Sequence, residues 1–413
     1  MSKEGPKVKR MDYLPGLDHS PPMTLRLYDS EPYLWEFTAT VLRVEGDWVT
    51  LNRTAFYPGG GGQEGDRGTI DGLPVTGVKG KAEVAHQLPG HRLSVGQLVT
   101  GRIDWEGRYE LMRAHTAEHL LFSSLSRRTE MELVKISLTR KKKVLVVKGQ
   151  LNWDLIREAV LEVNGIIARG SPVSCEYVDK AQMAEGGPRA KLDRIVDQRV
   201  RVVRIGEHDQ AACAGVHLRD AREIGMLLVS KFTSARPTGD WEIEFLVGPA
   251  AVSAAVEHAV RALMLAERLG SLPQDTLTAF DNRERELVSY REALKVYGRQ
   301  ALASIPSQEV GGIRVLSGSF LGLDRKMLME RASELASGPR ALIALMSQDE
   351  RAFLVLARSG DLELDCVSLL NRLLGPHGGR GGGRPNFASG GTPGPVDGEN
   401  VLRELIRIIE EGL

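Results

Sequence analysis

Two short motifs, far apart in the chain, constrain its fold more than any other feature. His115 and His119 stand four residues apart in RAHTAEHLL, and Cys213 and His217 stand four apart in ACAGVHLRD. Side chains at i and i+4 share one face of a helix, about 5–6 Å between Cβ atoms, so each pair read as helical offers a bite for one ion. Three imidazoles and one thiolate are the donors of a tetrahedral zinc site. A single HxxxH carries little weight, because surface helices produce it by chance. The second pair, however, uses one of only three cysteines and one of nine histidines. We therefore expect Zn2+ bound by His115, His119, Cys213 and His217, which requires a fold that brings two distant segments together.

The 413 residues exceed one ordinary core and suggest two or three domains. Hydrophobic content of 42% with 26% charge is that of a globular chain, and Lys+Arg and Asp+Glu balance at 54 each, so net charge selects no partner. Three unpatterned cysteines, Cys175, Cys213 and Cys366, argue against a disulfide framework and fit a reducing cytosol. The charged N-terminus lacks the apolar stretch of a signal peptide, and no apolar run reaches the roughly 18 residues of a membrane span. A cytoplasmic protein is expected.

From Met23 to Asp104, short alternating β-branched segments between Gly, Asp and Asn predict a small β-barrel or curled sheet. At Arg108 the period changes to that of a helix carrying His115 and His119. A strand follows at KKKVLVVKGQL, then an amphipathic helix over Trp153–Ala168, strands at SCEYVD and RVRVVRIG, and a strand pair ending near Val247. From Ala250 to Ile305 the chain reads as helical. Phe280, Leu287, Leu294 and Ala301 recur every seven residues, with Tyr290 and Tyr297 beside them: a heptad seam for a dimer, or the face of a helix packed on its own domain. Beyond Val310 the chain alternates strand and helix. The fold class expected is α+β multidomain: an N-terminal β-barrel with a glycine-rich loop (1–105), a zinc-binding α+β domain (106–249), a helical linker or dimerisation element (250–305) and a C-terminal α/β domain (306–413).

HTAEH also fits the H-x-x-E-H pattern of a metalloprotease, with Glu118 as general base. That chemistry uses three protein ligands and an open position, and Cys213 with His217 would supply two further ligands. Glu118 is expected instead on the solvent side, or supporting a ligand. The stretch Thr54–Gly68 (TAFYPGGGGQEGDRG) is not a phosphate loop, since no Lys-Ser/Thr follows it. Successive glycines let a ligand approach backbone N–H groups, and Thr54 and Gln63 flank them.

These three motifs, in this order, resemble the editing domain shared by alanyl-tRNA synthetases and free-standing alanyl-tRNA editing proteins of the AlaX family. The usual forms there are close to FYPEGGGQPxDxG, HxxTH or HxxxH, and CGGTH. The segment PHGGRGGGRPNFASGG resembles the GGxGGGxPxxAxxG stretch of the C-terminal domain of those synthetases, also found attached to DHH phosphoesterases. Gly59 and Glu64 depart from the first pattern and Ala214 and Val216 from the third. The metal motifs are shared with threonyl-tRNA synthetase editing domains, but the glycine loop and the C-terminal domain favour alanine. With no aminoacylation core before the barrel, the resemblance implies a trans-acting, zinc-dependent hydrolase of mischarged tRNA(Ala). Ser-tRNA(Ala) is the chief expected substrate and Gly-tRNA(Ala) a further candidate.

A site built to hydrogen-bond a hydroxyl can prefer serine over alanine by about 10⁴-fold. Thr54 is the candidate reader of the seryl hydroxyl, Gln63 the residue orienting the ester carbonyl or a water, and the N–H groups of Gly60, Gly61 and Gly62 a candidate oxyanion site. The metal either activates water or holds the substrate's amino group. Candidate tRNA contacts are Arg380 and Arg384 in the glycine-arginine loop, Lys141 and Lys142 within Arg140–Lys143, and the Arg189/Lys191/Arg194 cluster. A homodimer through the 275–303 helix and the C-terminal domain is expected. A non-catalytic tRNA-binding protein that keeps the editing fold remains the alternative.

Overall fold

The computed structural model describes residues 24–183, 188–190, 198–235 and 239–411. Lys191 and Arg194 of the expected basic cluster lie outside them. The chain forms two compact units, 1–261 and 262–413, and the boundary falls inside the helix Gly248–Leu269. Mixed helices and largely antiparallel sheets make the architecture α+β, and no helix among the described residues is long and apolar enough to cross a membrane.

The first unit opens with a seven-stranded, barrel-like sheet. Its strand Glu36–Glu45 pairs with Leu98–Ile103 over its first half and with Trp48–Leu51 over its second, with a register shift between Val41 and Arg43. A strand that changes partners at a bulge curls the sheet. Phe37, Ala39, Val41, Val49, Leu51, Phe56 and Ile70 fill its interior, following the alternation seen in sequence.

The helix Trp105–Ser126 starts where the Asp104 side chain accepts a hydrogen bond from Gly107 N–H. Most of its length is buried, and Leu111, Leu120, Leu121 and Leu125 join a core with helix Trp153–Arg169. That second helix is capped by Asn152 and ends at Gly170, whose φ of 83° few other residues adopt. A four-stranded antiparallel sheet (Met131–Leu138, Lys143–Gly149, Asp240–Val247, Leu227–Ala235) closes one side of this core. A three-stranded sheet, Val173–Asp179, Arg199–Ile205 and Asp209–Ala212, leads directly into the second metal motif.

The second unit carries a six-stranded sheet. Strands Ile313–Leu321 and Ala341–Gln348 are parallel, which requires a crossover, supplied by helix Arg325–Leu335. The run ALIALMSQ is buried almost throughout because it is sandwiched: Leu342, Ala344 and Met346 enter one core, Ala341, Ile343 and Leu345 another. The glycine-arginine segment read as a loop is instead a hairpin, Arg380–Arg384 pairing antiparallel with Phe387–Gly391 at the sheet edge. Glycine serves there by leaving room, since a Cβ at Gly381 would lie 2.3 Å from Leu370 and 2.5 Å from the Ser389 carbonyl. On the helix Thr276–Ala303 the heptad residues Phe280, Leu287, Leu294, Tyr290 and Tyr297 are all exposed.

Candidate metal centre

His115 and His119 project from one face of the Trp105–Ser126 helix, as their spacing implied. Cys213 and His217 do not share a helix. They lie on an irregular loop after the strand Asp209–Ala212, so their four-residue spacing is met by a turn of chain and not by helical periodicity. Arg201, on the adjacent strand, shapes that turn. Its Nη1 donates to the carbonyls of Cys213 (2.9 Å) and Gly215 (2.8 Å), while Cys213 N–H donates to the Arg201 carbonyl at 3.0 Å. Carbonyls buried without such partners would be left unsatisfied.

One ligand atom from each of His115, His119, Cys213 and His217 lies within 4.8 Å of all the others. Cys213 Sγ is 3.4 Å from His115 Nε2 and 3.3 Å from His217 Nε2. The opposite nitrogen of each ring meets an oxygen: His115 Nδ1 meets Gln63 Oε1 at 2.8 Å, His119 Nδ1 meets Asp209 Oδ2 at 2.7 Å, and His217 Nδ1 meets Thr116 Oγ1 at 3.3 Å. The Gln63 amide oxygen and the Asp209 carboxylate can only accept, so they hold an N–H on Nδ1 of His115 and His119 and aim the Nε2 atoms of both rings at the shared cluster, while Thr116 sets the orientation of the His217 ring. Asp209 is steadied in turn by Arg189 Nη2, 3.1 Å from both of its oxygens.

The electrostatics favour a cation. Burial works against a thiolate at Cys213, but His115 and His217 outweigh it and hold the thiol well below its usual value. Burial, helped by His115, pushes His217 down to about 3, keeping it a neutral donor. Burial also opposes a charged His119, yet the hydrogen bond to Asp209 wins and raises it to about 10. A metal ion bound at Nε2 would take the place of that proton. The four donors fit a tetrahedral zinc with no open position, unlike the three-ligand site of the protease reading. Glu118 is not on the solvent side. It is fully buried, both carboxylate oxygens lack hydrogen-bond partners among the described residues, and burial raises its pKa.

The glycine loop is closed by its own backbone hydrogen bonds and reaches the four-donor cluster directly. Gly59, Gly60, Gly61 and Gly62 all have φ between 58° and 141°, a region closed to most side chains. The backbones of Gly60 and Gln63 bond each other at 3.0 Å in both directions, and the Gly62 carbonyl accepts from Leu138 N–H at 2.7 Å. The Gly60 N–H is thereby committed, whereas those of Gly61 and Gly62 have no partner among the described residues. Gln63 Oε1 also accepts from Val216 N–H at 3.1 Å, which fixes the amide orientation. Its Nε2 is buried with no partner among the described residues. Gly215 leaves no room for a side chain here: a Cβ would lie 2.1 Å from His115 Cε1. The Val216 side chain packs into the hydrophobic core.

Thr54 is fully buried. His86 Nδ1 faces the Val49 carbonyl at 3.1 Å and must donate to it, so Nε2 accepts from the Thr54 hydroxyl at 2.8 Å. Thr54 Oγ1 in turn accepts from Phe56 N–H at 3.1 Å. Arg140–Lys143 is not a free basic patch: Arg140 faces Glu64 and Asp104, Lys142 pairs with Glu242 and Glu244, and the buried Lys143 pairs with Glu110. Lys141 is exposed. Arg380 and Arg384 are exposed on the edge strand of the second unit, flanking the open Gly382.

Residues 32–107 match the family described as tRNA synthetases class II (A). The alanyl-tRNA editing protein AlaX-L of Pyrococcus horikoshii is 30% identical over 390 residues, covering 89% of this chain and 94% of that protein. The chain belongs to the AlaX alanyl-tRNA editing protein family. The alanine–tRNA ligase of Archaeoglobus fulgidus is 30% identical over 96% of this chain, which spans 45% of that longer enzyme. A slight structural likeness, TM-score 0.25 at 19% identity over 26% of this chain, is to the C-Ala domain of Aquifex aeolicus alanyl-tRNA synthetase. Sequence reasoning placed the four donors but missed Asp209, Thr116, Arg201 and His86. None of these stands in a recognisable spacing with the residue it serves.

Proposed function

We propose that this AlaX-family chain is a trans-acting hydrolase that removes wrongly attached amino acids from tRNA(Ala), with Ser-tRNA(Ala) as chief substrate and Gly-tRNA(Ala) as a second. One observation carries the proposal: Gln63 joins the glycine loop to the four-donor cluster through His115 and Val216, and holds its remaining amide donor buried beside that cluster with no partner among the described residues. A buried donor with no protein partner is destabilising unless a ligand satisfies it. In this reading Gln63 Nε2 donates to the ester carbonyl, and the N–H groups of Gly61 and Gly62 face the oxygen that gains charge. Thr54 gives its proton to His86 and accepts from Phe56, which leaves one lone pair for a seryl hydroxyl. Zinc held by His115, His119, Cys213 and His217 would supply positive charge at the site and lock the Cys213–His217 loop to the helix. Water adds to the ester carbonyl carbon, the bond to the ribose oxygen breaks, and the free amino acid and the tRNA 3′ hydroxyl are released.

Arg380 and Arg384 are proposed to meet tRNA phosphates, and the exposed seam of the Thr276–Ala303 helix to pair two copies. The deciding experiment is deacylation of purified Ser-tRNA(Ala), Gly-tRNA(Ala) and Ala-tRNA(Ala) by zinc-loaded protein. Rapid loss of serine with alanine spared is expected. Binding of tRNA(Ala) without any deacylation would overturn the proposal in favour of a non-catalytic tRNA-binding protein.

A further inference from the structure

The three-stranded sheet that ends in the metal loop carries an exposed aromatic which the site described above does not use. Tyr177 stands directly opposite Arg201 in the antiparallel pairing of Val173–Asp179 with Arg199–Ile205. Directly opposed residues project to the same face, with Cβ atoms about 4.5–5.5 Å apart. Arg201 is the residue that bonds the Cys213 and Gly215 carbonyls, and its Nη2 reaches Cys175 Sγ at 3.1 Å, two residues before Tyr177 on the same face. Tyr177 therefore sits one cross-strand step from the loop that holds two of the four metal ligands.

Tyr177 is 42% exposed, high for a residue so close to a buried centre. Two arginines flank it. The Arg199 guanidinium carbon lies 5.9 Å from the ring centroid, and Arg26 Nη2 lies 3.5 Å from the phenol oxygen. Asp29 steadies this end, pairing with Arg26 at 3.0 Å and accepting from the Tyr177 hydroxyl at 3.4 Å. Among the described residues, the strands also place Asp179, opposite Arg199, and the buried Asp209, opposite Ile205, on this face. An open aromatic face between two guanidinium groups suits an unpaired nucleotide: the base stacks on the ring and the arginines meet its phosphates.

We infer that the sheet face around Tyr177 binds the single-stranded 3′ end of the RNA, with the terminal base stacked on Tyr177 and flanking phosphates near Arg199 and Arg26. This inference rests on the proposed function for the identity of the RNA, since it places the nucleotide that bears the aminoacyl ester next to the metal loop. The test uses the full chain loaded with zinc and an uncharged acceptor-stem minihelix, with or without its terminal adenosine, followed by fluorescence anisotropy. The wild type should bind the intact minihelix at least about fivefold more tightly than the shortened one, the lower end of what one stacked base contributes. Tyr177→Ala should abolish that preference with zinc content unchanged, and Tyr177→Phe should keep it. A wild type indifferent to the terminal adenosine, or a Tyr177→Ala protein that retains the full preference, would overturn the inference. Because the probe carries no amino acid, the expected binding pattern from a protein that deacylates nothing would uphold this subsite while refuting the hydrolase proposal.

Discussion

Replacing Arg108 by methionine removes the clamp between the helix that carries His115 and His119 and the glycine loop. Arg108 and Asp66 are both fully buried. Arg108 Nε donates to Asp66 Oδ1 at 2.8 Å, Nη2 donates to Asp66 Oδ2, and further bonds reach the carbonyls of Pro32 (2.9 Å) and Ala55 (2.6 Å). In Arg108→Met the Asp66 carboxylate keeps the Tyr57 N–H at 2.6 Å but loses its counter-charge away from water. Leaving one partner of a buried ion pair uncompensated costs about 3–5 kcal/mol. For a folding unit of this size that is a fall in Tm of roughly 6–20 °C. Urea unfolding of the zinc-loaded protein, followed by circular dichroism, measures it. Because Asp66 lies three residues beyond Gln63 and Arg108 two helical turns before His115, zinc should also be released at a lower urea concentration. Arg108→Met combined with Asp66→Asn removes the stranded charge and should recover at least about half of the loss, as coupled sites do. A single-variant loss below about 1 kcal/mol, or a double variant no better than the single one, would refute the reasoning.

Gly215→Ala places a methyl group 2.3 Å from His115 Nδ1, so the ring must move; zinc affinity by chelator competition should drop at least about tenfold, as when a ligand's supporting contacts are lost. Thr54→Val keeps the shape but removes the hydroxyl, and Ser-tRNA(Ala) hydrolysis should slow by about 1–3 kcal/mol of barrier, while unchanged kinetics would end the assignment of Thr54. Burial lowers the His86 pKa to about 4, against roughly 6.5 for an unfolded histidine. The neutral ring therefore contributes its full stability above pH 6.5, and that contribution is lost as pH falls toward 4, because the unfolded chain takes up a proton the folded one refuses. The loss should reach about 3 kcal/mol by urea titration and be absent in His86→Gln.

Four donor residues, the glycine loop and the α+β alternation were legible in the sequence, because periodicity and rare residue types leave local marks. The helix from Arg108 with its histidine pair followed from 3.6-residue periodicity, and the strand–helix alternation expected beyond Val310 is present, with Ala341–Gln348 as one of its strands. The Cys213–His217 pair had the right chemistry but the wrong backbone: helical spacing was met by a loop, since i, i+4 side chains can also converge across a turn that Arg201 holds. The glycine-arginine segment suggested an open loop because glycine disfavours strands, and pairing with Phe387–Gly391 overrode that preference.

What the chain encodes locally is which atoms can bind a cation and where helices begin. Which nitrogen of each imidazole faces the shared donor cluster is not local. Gln63 is far from His115 in sequence, as Asp209 is from His119 and Thr116 from His217, and only folding brings each oxygen to within 2.7–3.3 Å of its Nδ1. The same holds for charge. Arg140, Lys142 and Lys143 form a basic run in sequence, yet in the fold they face Glu64, Asp104, Glu242, Glu244 and Glu110. Glu118, polar and beside a ligand, lies sealed from water. Sequence determined the inventory of donors and charges, because these are properties of single residues and short periods. Tertiary structure decided their orientation and their partners, because a hydrogen bond or ion pair depends on distance in space, which the separation along the chain does not set.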